Sequence, residues 1–324
     1  MPLREFIRLA TERTNLSRAQ AAAAIDAMLE GTVPHSQMAA LLIALRMKGE
    51  TPDEVAGAAE AMRRRAQRVE VSQDRLIDTC GTGGDGRQTF NISTTAAFVA
   101  AGAGARVAKH GNRAASSKCG SADVLQALGV EVELTPAAVA ACIDSCGIGF
   151  LFAQRHHAAM RHVAPVRKEL GLRTLFNLLG PLANPAGTRR QIVGVPVAQF
   201  VMLLAHTLAE LGCDRAFVVH GHGGVDEIAT SGPTMIAEVR GAEVREFAFS
   251  PEDAGLPLAP LEALRGEPGA RRLAVLLNAG AAIAAAGICE TIPQGVRLAE
   301  QSIDSGAALD RLERLIRTSQ ASKQ

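Results

Sequence analysis

The hydrophobic and polar positions of the N-terminal part of the chain follow the spacing of short helices. Ser17 and Gln20 form a capping box ahead of an Ala-rich segment that Gly31 ends. Farther along, Thr51–Glu54 combines a capping threonine, a proline at the first helical position and two acids in the first turn. These signals predict a small α-helical domain over residues 1–68.

A different pattern begins at Leu76, where short apolar runs ending in glycine-rich loops alternate with Ala- and Leu-rich helical stretches. This alternation is typical of an α/β domain, which we predict over residues 69–324. The predicted strands are 76–80, 106–109, 149–152, 191–195 and 215–220. The predicted helices include 94–102, 122–128, 136–146 and 197–211, with further helices from 271 onward. Apolar runs at 235–237 and 244–249 flank Arg240-Gly241 and predict a β-hairpin.

Composition and charge limit the classes of protein that fit. Of the 324 residues, 48% are hydrophobic and 21% are charged, which supplies enough apolar side chains for buried cores. The formal net charge of +1 and the aromatic content of 3%, all Phe, argue against a nucleic-acid-binding protein. We predict a structural role for the basic run Arg63–Arg65, since it ends a predicted helix, where the dipole favours cations. Because neither an apolar run of membrane-spanning length nor a secretion leader is evident, we expect a cytoplasmic protein without membrane contact.

The first glycine-rich loop, Asp78–Gly86, follows a predicted strand. Its Gly81-x-Gly83-x-x-Gly86 spacing matches the dinucleotide-binding fingerprint, but the next helix starts only near Asn91 and no acid follows about 20 residues on. Exposed backbone N–H groups in such a loop can hold anions, and Asp85 within it favours a nearby polyol or metal. A plain tight turn is the alternative.

Two further segments carry groups suited to phosphate. Asn91–Thr95 opens a helix, and the free N–H groups of a helix N-terminus bind phosphate, although ordinary capping is the alternative. The segment Lys109–Ser121 holds three cations, three serines and two glycines in thirteen residues and opens another helix. It therefore predicts a grip on a phosphorylated ligand.

Four segments together resemble one family. Gly81–Asp85, Asn91–Thr94, Lys109–Ser117 and Asn177–Pro185 (NLLGPLANP) are similar in sequence and order to anthranilate phosphoribosyltransferases over essentially the whole chain. The resemblance implies a nucleoside phosphorylase-like phosphoribosyltransferase fold with a central mixed sheet in the larger domain. It also implies that a stretch near residues 165–185 returns to the helical domain, and that the protein is a homodimer.

The resemblance also implies a reaction and its residues. The family joins anthranilate to 5-phospho-α-D-ribose 1-diphosphate, releasing pyrophosphate and giving N-(5-phosphoribosyl)anthranilate for tryptophan biosynthesis. The residues implied for the phosphoribosyl diphosphate are Gly81, Gly84, Asp85, Thr89, Asn91, Ile92, Ser93, Thr94, Lys109, His110, Gly111, Asn112, Arg113, Ala114, Ala115, Ser116, Ser117 and Ser121. Those implied for anthranilate are Gly81, Asn112 and Arg167, and those implied for two Mg²⁺ ions are Ser93, Asp226 and Glu227.

The residue types agree with these roles. Mg²⁺ prefers carboxylate and phosphate oxygens, and a Gly-rich turn after the strand 215–220 lets the adjacent Asp226 and Glu227 converge on a metal. On pattern alone, this pair also fits a solvated turn. Arg167 offers a planar fork suited to the carboxylate of anthranilate, although its pattern equally fits an exposed helical arginine.

Two positions depart from the family pattern, and two rival functions stay open. Gln154 and Ala158 stand where the family commonly has proline, which frees the backbone of a loop that contains His157. One rival is a pyrimidine nucleoside phosphorylase, recognisable by uridine phosphorolysis. The other is a non-catalytic nucleic-acid-binding relative, for which we expect excess basic charge and damaged metal or diphosphate motifs.

Overall fold

The computed structural model describes residues 3–87, 89–114, 119–260 and 268–322. The chain begins with α1 (Leu3–Thr11), α2 (Arg18–Glu30), α3 (His35–Lys48) and α4 (Pro52–Arg65). The predicted capping box of Ser17 and Gln20 at α2 is confirmed, and the predicted capping threonine of α4, Thr51, forms a second box with Glu54. Gly31 ends α2 at a left-handed φ of 74°, as its position predicts.

The strands form two neighbouring sheets. They are β1 (Leu76–Ile77), β2 (Arg106–Gly111), β3 (Ile148–Phe152), β4 (Arg190–Gly194), β5 (Arg215–His220), β6 (Thr234–Arg240) and β7 (Glu243–Phe249). The first sheet is parallel in the order β1-β2-β3, and the second runs β4-β5-β6-β7 with only the β4–β5 pair parallel. A parallel bridge from Asp78 to Gln191 joins β1 to β4. The predicted α/β fold, mixed sheet and β6–β7 hairpin are confirmed.

The remaining helices cover the sheets. They are α5 (Ile92–Gly102), α6 (Ser121–Ala127), α7 (Pro136–Cys146), α8 (Ala153–His156), α9 (Ala164–Leu170), α10 (Gln199–Glu210), α11 (Pro268–Ala285), α12 (Ile292–Asp304) and α13 (Ala307–Ala321). Helix α5 packs against α11 and α13, while α10 packs between the sheet strands β5 and β6 and helix α4. No helix within the described ranges is long and apolar enough to span a membrane.

Two predicted strand ends are wrong by more than one residue. The first strand is shorter than 76–80, and the second continues past Lys109 because β2 pairs with β3 as far as Gly111 opposite Phe152. His110 therefore lies in a buried strand and not in the loop that the sequence predicted, whereas Lys109 lies in the strand to which the sequence assigned it, and each is 3% exposed.

The stretch after α9 packs with the N-terminal helices. Leu175 and Leu179 are fully buried in the same apolar cluster as Leu41 and Leu42 of α3. This packing supports the assignment of residues 165–185 to the helical domain, which stays a prediction together with the domain boundaries.

The basic run at the end of α4 is bound within the protein. Arg63 Nε donates to the Leu182 carbonyl at 2.6 Å, and Arg64 and Arg65 both pair with Asp26. The structural role predicted for this run is confirmed.

Candidate active site

The first glycine-rich loop leaves β1 and lies against β4. Thr82 N donates to the Gly194 carbonyl at 2.9 Å, and a Cβ at Gly81 would come within 2.9 Å of the same oxygen. Gly83 and Gly84 have φ values of 67° and 81°, a region that favours glycine. Steric contact and backbone conformation thus both explain the glycines of this loop.

Three carboxylates converge beside the loop. Burial, and next the charge of Asp85, raises the pKa of Asp226 to about 7. Burial, and next the charge of Asp226, raises the pKa of Glu227 well above its ordinary value. Asp85 Oδ1 accepts from Arg87 N at 3.0 Å, whereas Asp85 Oδ2 is buried without a hydrogen-bond partner among the described residues. A cluster of close, incompletely paired carboxylates fits a divalent cation with oxygen ligands such as Mg²⁺.

The beginning of α5 meets these carboxylates. Ser93 N donates to Glu227 Oε1 at 3.2 Å, and Glu227 in turn interacts electrostatically with Asp226 and Lys109. Lys109 Nζ donates to Thr79 Oγ1 at 3.1 Å. The structure therefore brings together the three predicted metal residues and one predicted diphosphate residue.

The same end of α5 supplies groups for a phosphate. The helix begins at Ile92, directly after Asn91, and Thr94 Oγ1 is buried without a hydrogen-bond partner in the described part of the chain. Thr89 and Ile92 line one cavity with Glu227. The predicted Thr89 and Asn91–Thr94 thus lie beside the carboxylates at a helix N-terminus, where an anion is favoured.

A buried hydrogen-bonded group, missed by the sequence analysis, supports the strand under this site. Asp78 accepts from His110 N at 3.1 Å and from Asn184 Nδ2 at 2.7 Å, and His110 Nδ1 contacts the Gly180 carbonyl at 2.9 Å. Burial raises the pKa of Asp78 to about 6 and lowers that of His110 to about 3.

Although ligand atoms of Asp78, Cys80 and His110 lie within 4.8 Å of one another, both Asp78 oxygens already accept hydrogen bonds. We therefore interpret this group as a structural brace. Its sequence signals were the places of His110 in the Lys109–Ser117 segment and of Asn184 in the NLLGPLANP motif.

The predicted phosphate-binding segment Lys109–Ser121 is held by an acid at the start of α6. Asp123 accepts from Ala114 N at 2.9 Å and from Arg113 Nη1 at 3.3 Å. The Arg113 guanidinium also lies 5.5 Å from the centre of the Phe152 ring. The predicted residues Ala115, Ser116 and Ser117 fall outside the described residues.

Asn112 connects this loop to the segment where the sequence departs from the family pattern. Its Oδ1 accepts from Gln154 Nε2 at 3.3 Å, and its carbonyl accepts from Ser121 Oγ at 3.3 Å. A Cβ at Gly111 would overlap Ser121 Oγ, so the end of β2 and the start of α6 approach closely. Gln154 is therefore a direct neighbour of a predicted anthranilate residue.

The other predicted anthranilate residue stands on α9. The Arg167 guanidinium lies 5.8 Å from the centre of the Phe176 ring and makes no ion pair with any described residue. Burial lowers the pKa of Arg167. His157 is buried with its ring centre 5.2 Å from that of His110, and burial lowers its pKa to about 4. The anthranilate role of Arg167 stays a prediction.

Comparisons with known proteins agree with this arrangement. Residues 73–309 match the profile of the glycosyl transferase family, a/b domain, and residues 4–66 match that of the glycosyl transferase family, helical bundle domain. The anthranilate phosphoribosyltransferase of Rubrobacter xylanophilus is 53% identical over 334 residues, covering 98% of this chain and 97% of that protein. The enzyme of the same name from Symbiobacterium thermophilum is 52% identical, covering 97% and 96%.

Solved structures give the same result. The crystal structure of anthranilate phosphoribosyltransferase from Thermus thermophilus superposes with a TM-score of 0.92 at 43% identity, covering 97% of this chain and 99% of that one. The Saccharomyces cerevisiae enzyme in complex with PRPP and Mg superposes with a TM-score of 0.87 at 27% identity, covering 98% of both chains. Sequence profiles, relatives and architecture agree, and the chain belongs to the anthranilate phosphoribosyltransferase family.

Proposed function

We propose that this chain transfers the 5-phosphoribosyl group of 5-phospho-α-D-ribose 1-diphosphate to the amine of anthranilate, releasing pyrophosphate, in tryptophan biosynthesis. The observation that carries the proposal is the meeting of three carboxylates with the glycine-rich loop and the start of α5. Further support comes from the yeast relative, whose structures are described in complex with PRPP and Mg and with 4-fluoroanthranilate.

The phosphorylated substrate would lie between the loop at Gly81–Asp85 and the first turn of α5. Backbone N–H groups of the loop and of residues 91–94 would donate to phosphate oxygens. Lys109, held by Thr79, adds a positive charge at this place. These groups are fixed by the fold, so they need little reorganisation when negative charge grows on the leaving group.

Asp226, Glu227 and Ser93 would hold magnesium, with Asp85 close to Asp226. Mg²⁺, when bound, neutralises part of the negative charge of the diphosphate. The number of ions, two in our proposal, follows the family resemblance. Through the bound cation, these carboxylates would orient the diphosphate end of the substrate.

The acceptor side needs orientation more than proton transfer. An aromatic amine is neutral at pH 7, so it can attack the anomeric carbon without prior deprotonation by a strong base. Arg167 would bind the anthranilate carboxylate and Asn112 would contact the ring side, which places the amine opposite the departing pyrophosphate. Catalysis would then come from positioning and electrostatics.

Three further properties are proposed: a homodimer, which rests on the resemblance alone, a cytoplasmic location and strict dependence on magnesium. Sedimentation of the purified protein tests the first, and omission of magnesium from the assay tests the last.

The direct test follows the fluorescence of anthranilate in the presence of phosphoribosyl diphosphate, magnesium and the purified protein. The proposal expects a loss of fluorescence that needs all four components. A parallel reaction with uridine and phosphate separates the rival function. Uridine phosphorolysis together with constant anthranilate fluorescence would overturn the proposal in favour of a nucleoside phosphorylase.

A further inference from the structure

Arg173 joins the helical side of the protein to the first glycine-rich loop. It follows α9 by three residues, and its Nη1 donates to the carbonyls of Gly83 at 3.0 Å and Gly84 at 3.2 Å. Ninety positions separate Arg173 from Gly83, so no local pattern in the sequence indicates this contact. One charged donor shared by two successive carbonyls fixes the orientation of both peptide groups.

The loop is shaped around this guanidinium. Gly83 and Gly84 both have positive φ values, and a Cβ at Gly84 would overlap Arg173 Nη1. The arginine thus fills the space that a side chain at position 84 would occupy. Asp85, whose carboxylate belongs to the candidate metal site, is the next residue along the chain.

The rest of the Arg173 side chain faces the same site. Its Nε and Nη2 are buried without hydrogen-bond partners among the described residues, and Asp226 attracts it electrostatically. On the helical side, Arg46 at the end of α3 donates through Nη1 to the Arg173 carbonyl. A continuous path therefore runs from α3 through Arg173 to the loop beside the carboxylates.

We propose that Arg173 is a positioning residue for the diphosphate end of the substrate, which acts by holding the carbonyls of Gly83 and Gly84. With these peptide groups fixed, the loop presents its N–H groups and Asp85 without having to be ordered on binding. The proposal rests on the proposed function in so far as the substrate carries a diphosphate. It does not depend on which acceptor is used.

The test compares Arg173→Ala with the parent in steady-state kinetics and in calorimetric binding of pyrophosphate with magnesium. We expect the KM for phosphoribosyl diphosphate and the Kd for magnesium pyrophosphate to rise about ten- to a hundredfold, as for loss of a charged hydrogen bond. The KM for anthranilate should stay within about twofold. Arg189→Ala is the matched control, because Arg189 also donates to a glycine carbonyl, that of Gly212 at 3.1 Å, outside the site.

Two further variants distinguish positioning from general support of the fold. Arg173→Lys keeps the charge but lacks the planar fork, so we expect partial recovery of the KM for phosphoribosyl diphosphate. Gly84→Ala strains a backbone held at a positive φ and displaces the guanidinium from the loop side, so in that background Arg173→Ala should raise the KM by less than about threefold. Additive losses, a fully active Lys variant or an equal rise in both KM values would overturn the proposal.

Failure of the proposed function has a different signature. Transfer of the phosphoribosyl group to an acceptor other than anthranilate would overturn that function, yet weakened magnesium pyrophosphate binding by Arg173→Ala would still support the positioning role. Unchanged pyrophosphate binding would overturn the positioning role whatever the acceptor. If Arg173→Ala does not fold, as judged by circular dichroism, the Lys variant gives the same comparison.

Discussion

Two sets of carboxylates in the protein have surroundings that differ. In the helical part, Glu54 is fully buried and accepts from Leu16 N at 2.8 Å, Thr51 N at 2.9 Å and Lys48 Nζ at 2.9 Å. In the α/β part, Asp226 and Glu227 lie beside Asp85, whose Oδ2 has no hydrogen-bond partner among the described residues.

In our proposal, this difference separates an acid with a structural role from acids that bind a metal ion. A buried charge is costly unless hydrogen bonds and an opposite charge compensate it. Glu54 receives that compensation from the protein itself, so it stabilises the fold. The three site carboxylates repel one another, and in our proposal a bound cation supplies the compensation that the protein itself does not.

The largest effect is expected for the carboxylates of the candidate metal site. The double variant Asp226→Asn, Glu227→Gln should lower turnover by at least roughly 10⁴-fold, about 5 kcal/mol in activation free energy, because the metal ligands are lost. Its free energy of unfolding should not fall, since mutual repulsion is removed. Assay at saturating magnesium together with urea denaturation measures both. Activity within about threefold of the parent would contradict the metal assignment.

The next largest effect is expected for the buried ion pair of Lys48 and Glu54. Lys48→Met leaves the Glu54 carboxylate buried without its cation and should lower the free energy of unfolding by about 3–5 kcal/mol. Arg8→Met is the matched control, since Arg8 pairs with Glu5 and Glu12 on an exposed helix face and should cost at most about 1 kcal/mol. Equal losses in the two variants would contradict the structural role of the buried pair.

His157 is a third kind of buried group, because burial keeps its imidazole neutral at pH 7. Since burial lowers its folded pKa from the usual 6.5 to about 4, its neutral form stabilises the protein fully above pH 6.5. That contribution, about 3 kcal/mol, is lost as the pH falls from 6.5 toward 4. His157→Asn removes the titration and can keep a donor toward the Ala183 carbonyl. Urea denaturation at pH 7 and pH 4.5 should show a smaller loss for the variant, and identical losses would contradict this explanation.

The smallest effect is expected on the acceptor side, where we propose that Arg167 binds the anthranilate carboxylate. Arg167→Ala should raise the KM for anthranilate about ten- to a hundredfold, as expected for a lost charge-assisted contact of roughly 1.5–3 kcal/mol. The KM for phosphoribosyl diphosphate should change little. Arg167→Lys restores charge without the fork and should recover only part of the loss. A rise in both KM values would show that Arg167 contacts the phosphorylated substrate or supports the fold.

How much the sequence could predict depends on how local each signal is. The capping box at Ser17, the cap at Thr51 and the helix Pro136–Cys146 depend on neighbouring residues, and they were predicted at the positions that the structure has. The end of β2 was predicted wrongly because pairing of Gly111 with Phe152 holds polar residues in a strand. Tertiary pairing there overrides the local preference.

In the candidate site too, some residues could be predicted from motifs and others could not. Motif resemblance indicated Asp226, Glu227 and Ser93, which the structure brings together. It could not indicate the contacts of Arg173 with Gly84 or of Asn184 with Asp78, since these join residues 89 and 106 positions apart. Supporting contacts of this kind depend on the folded backbone and carry no motif of their own.

The most direct test of the contrast between compensated and uncompensated carboxylates is thermal melting with and without magnesium pyrophosphate. A ligand present at about a hundred times its Kd stabilises the folded state by about 2.7 kcal/mol, so the parent and Lys48→Met should both melt at higher temperature with it. The variant Asp226→Asn, Glu227→Gln should show no such rise. An equal rise in that double variant would contradict the account, because the carboxylates would then not be the groups that the cation completes.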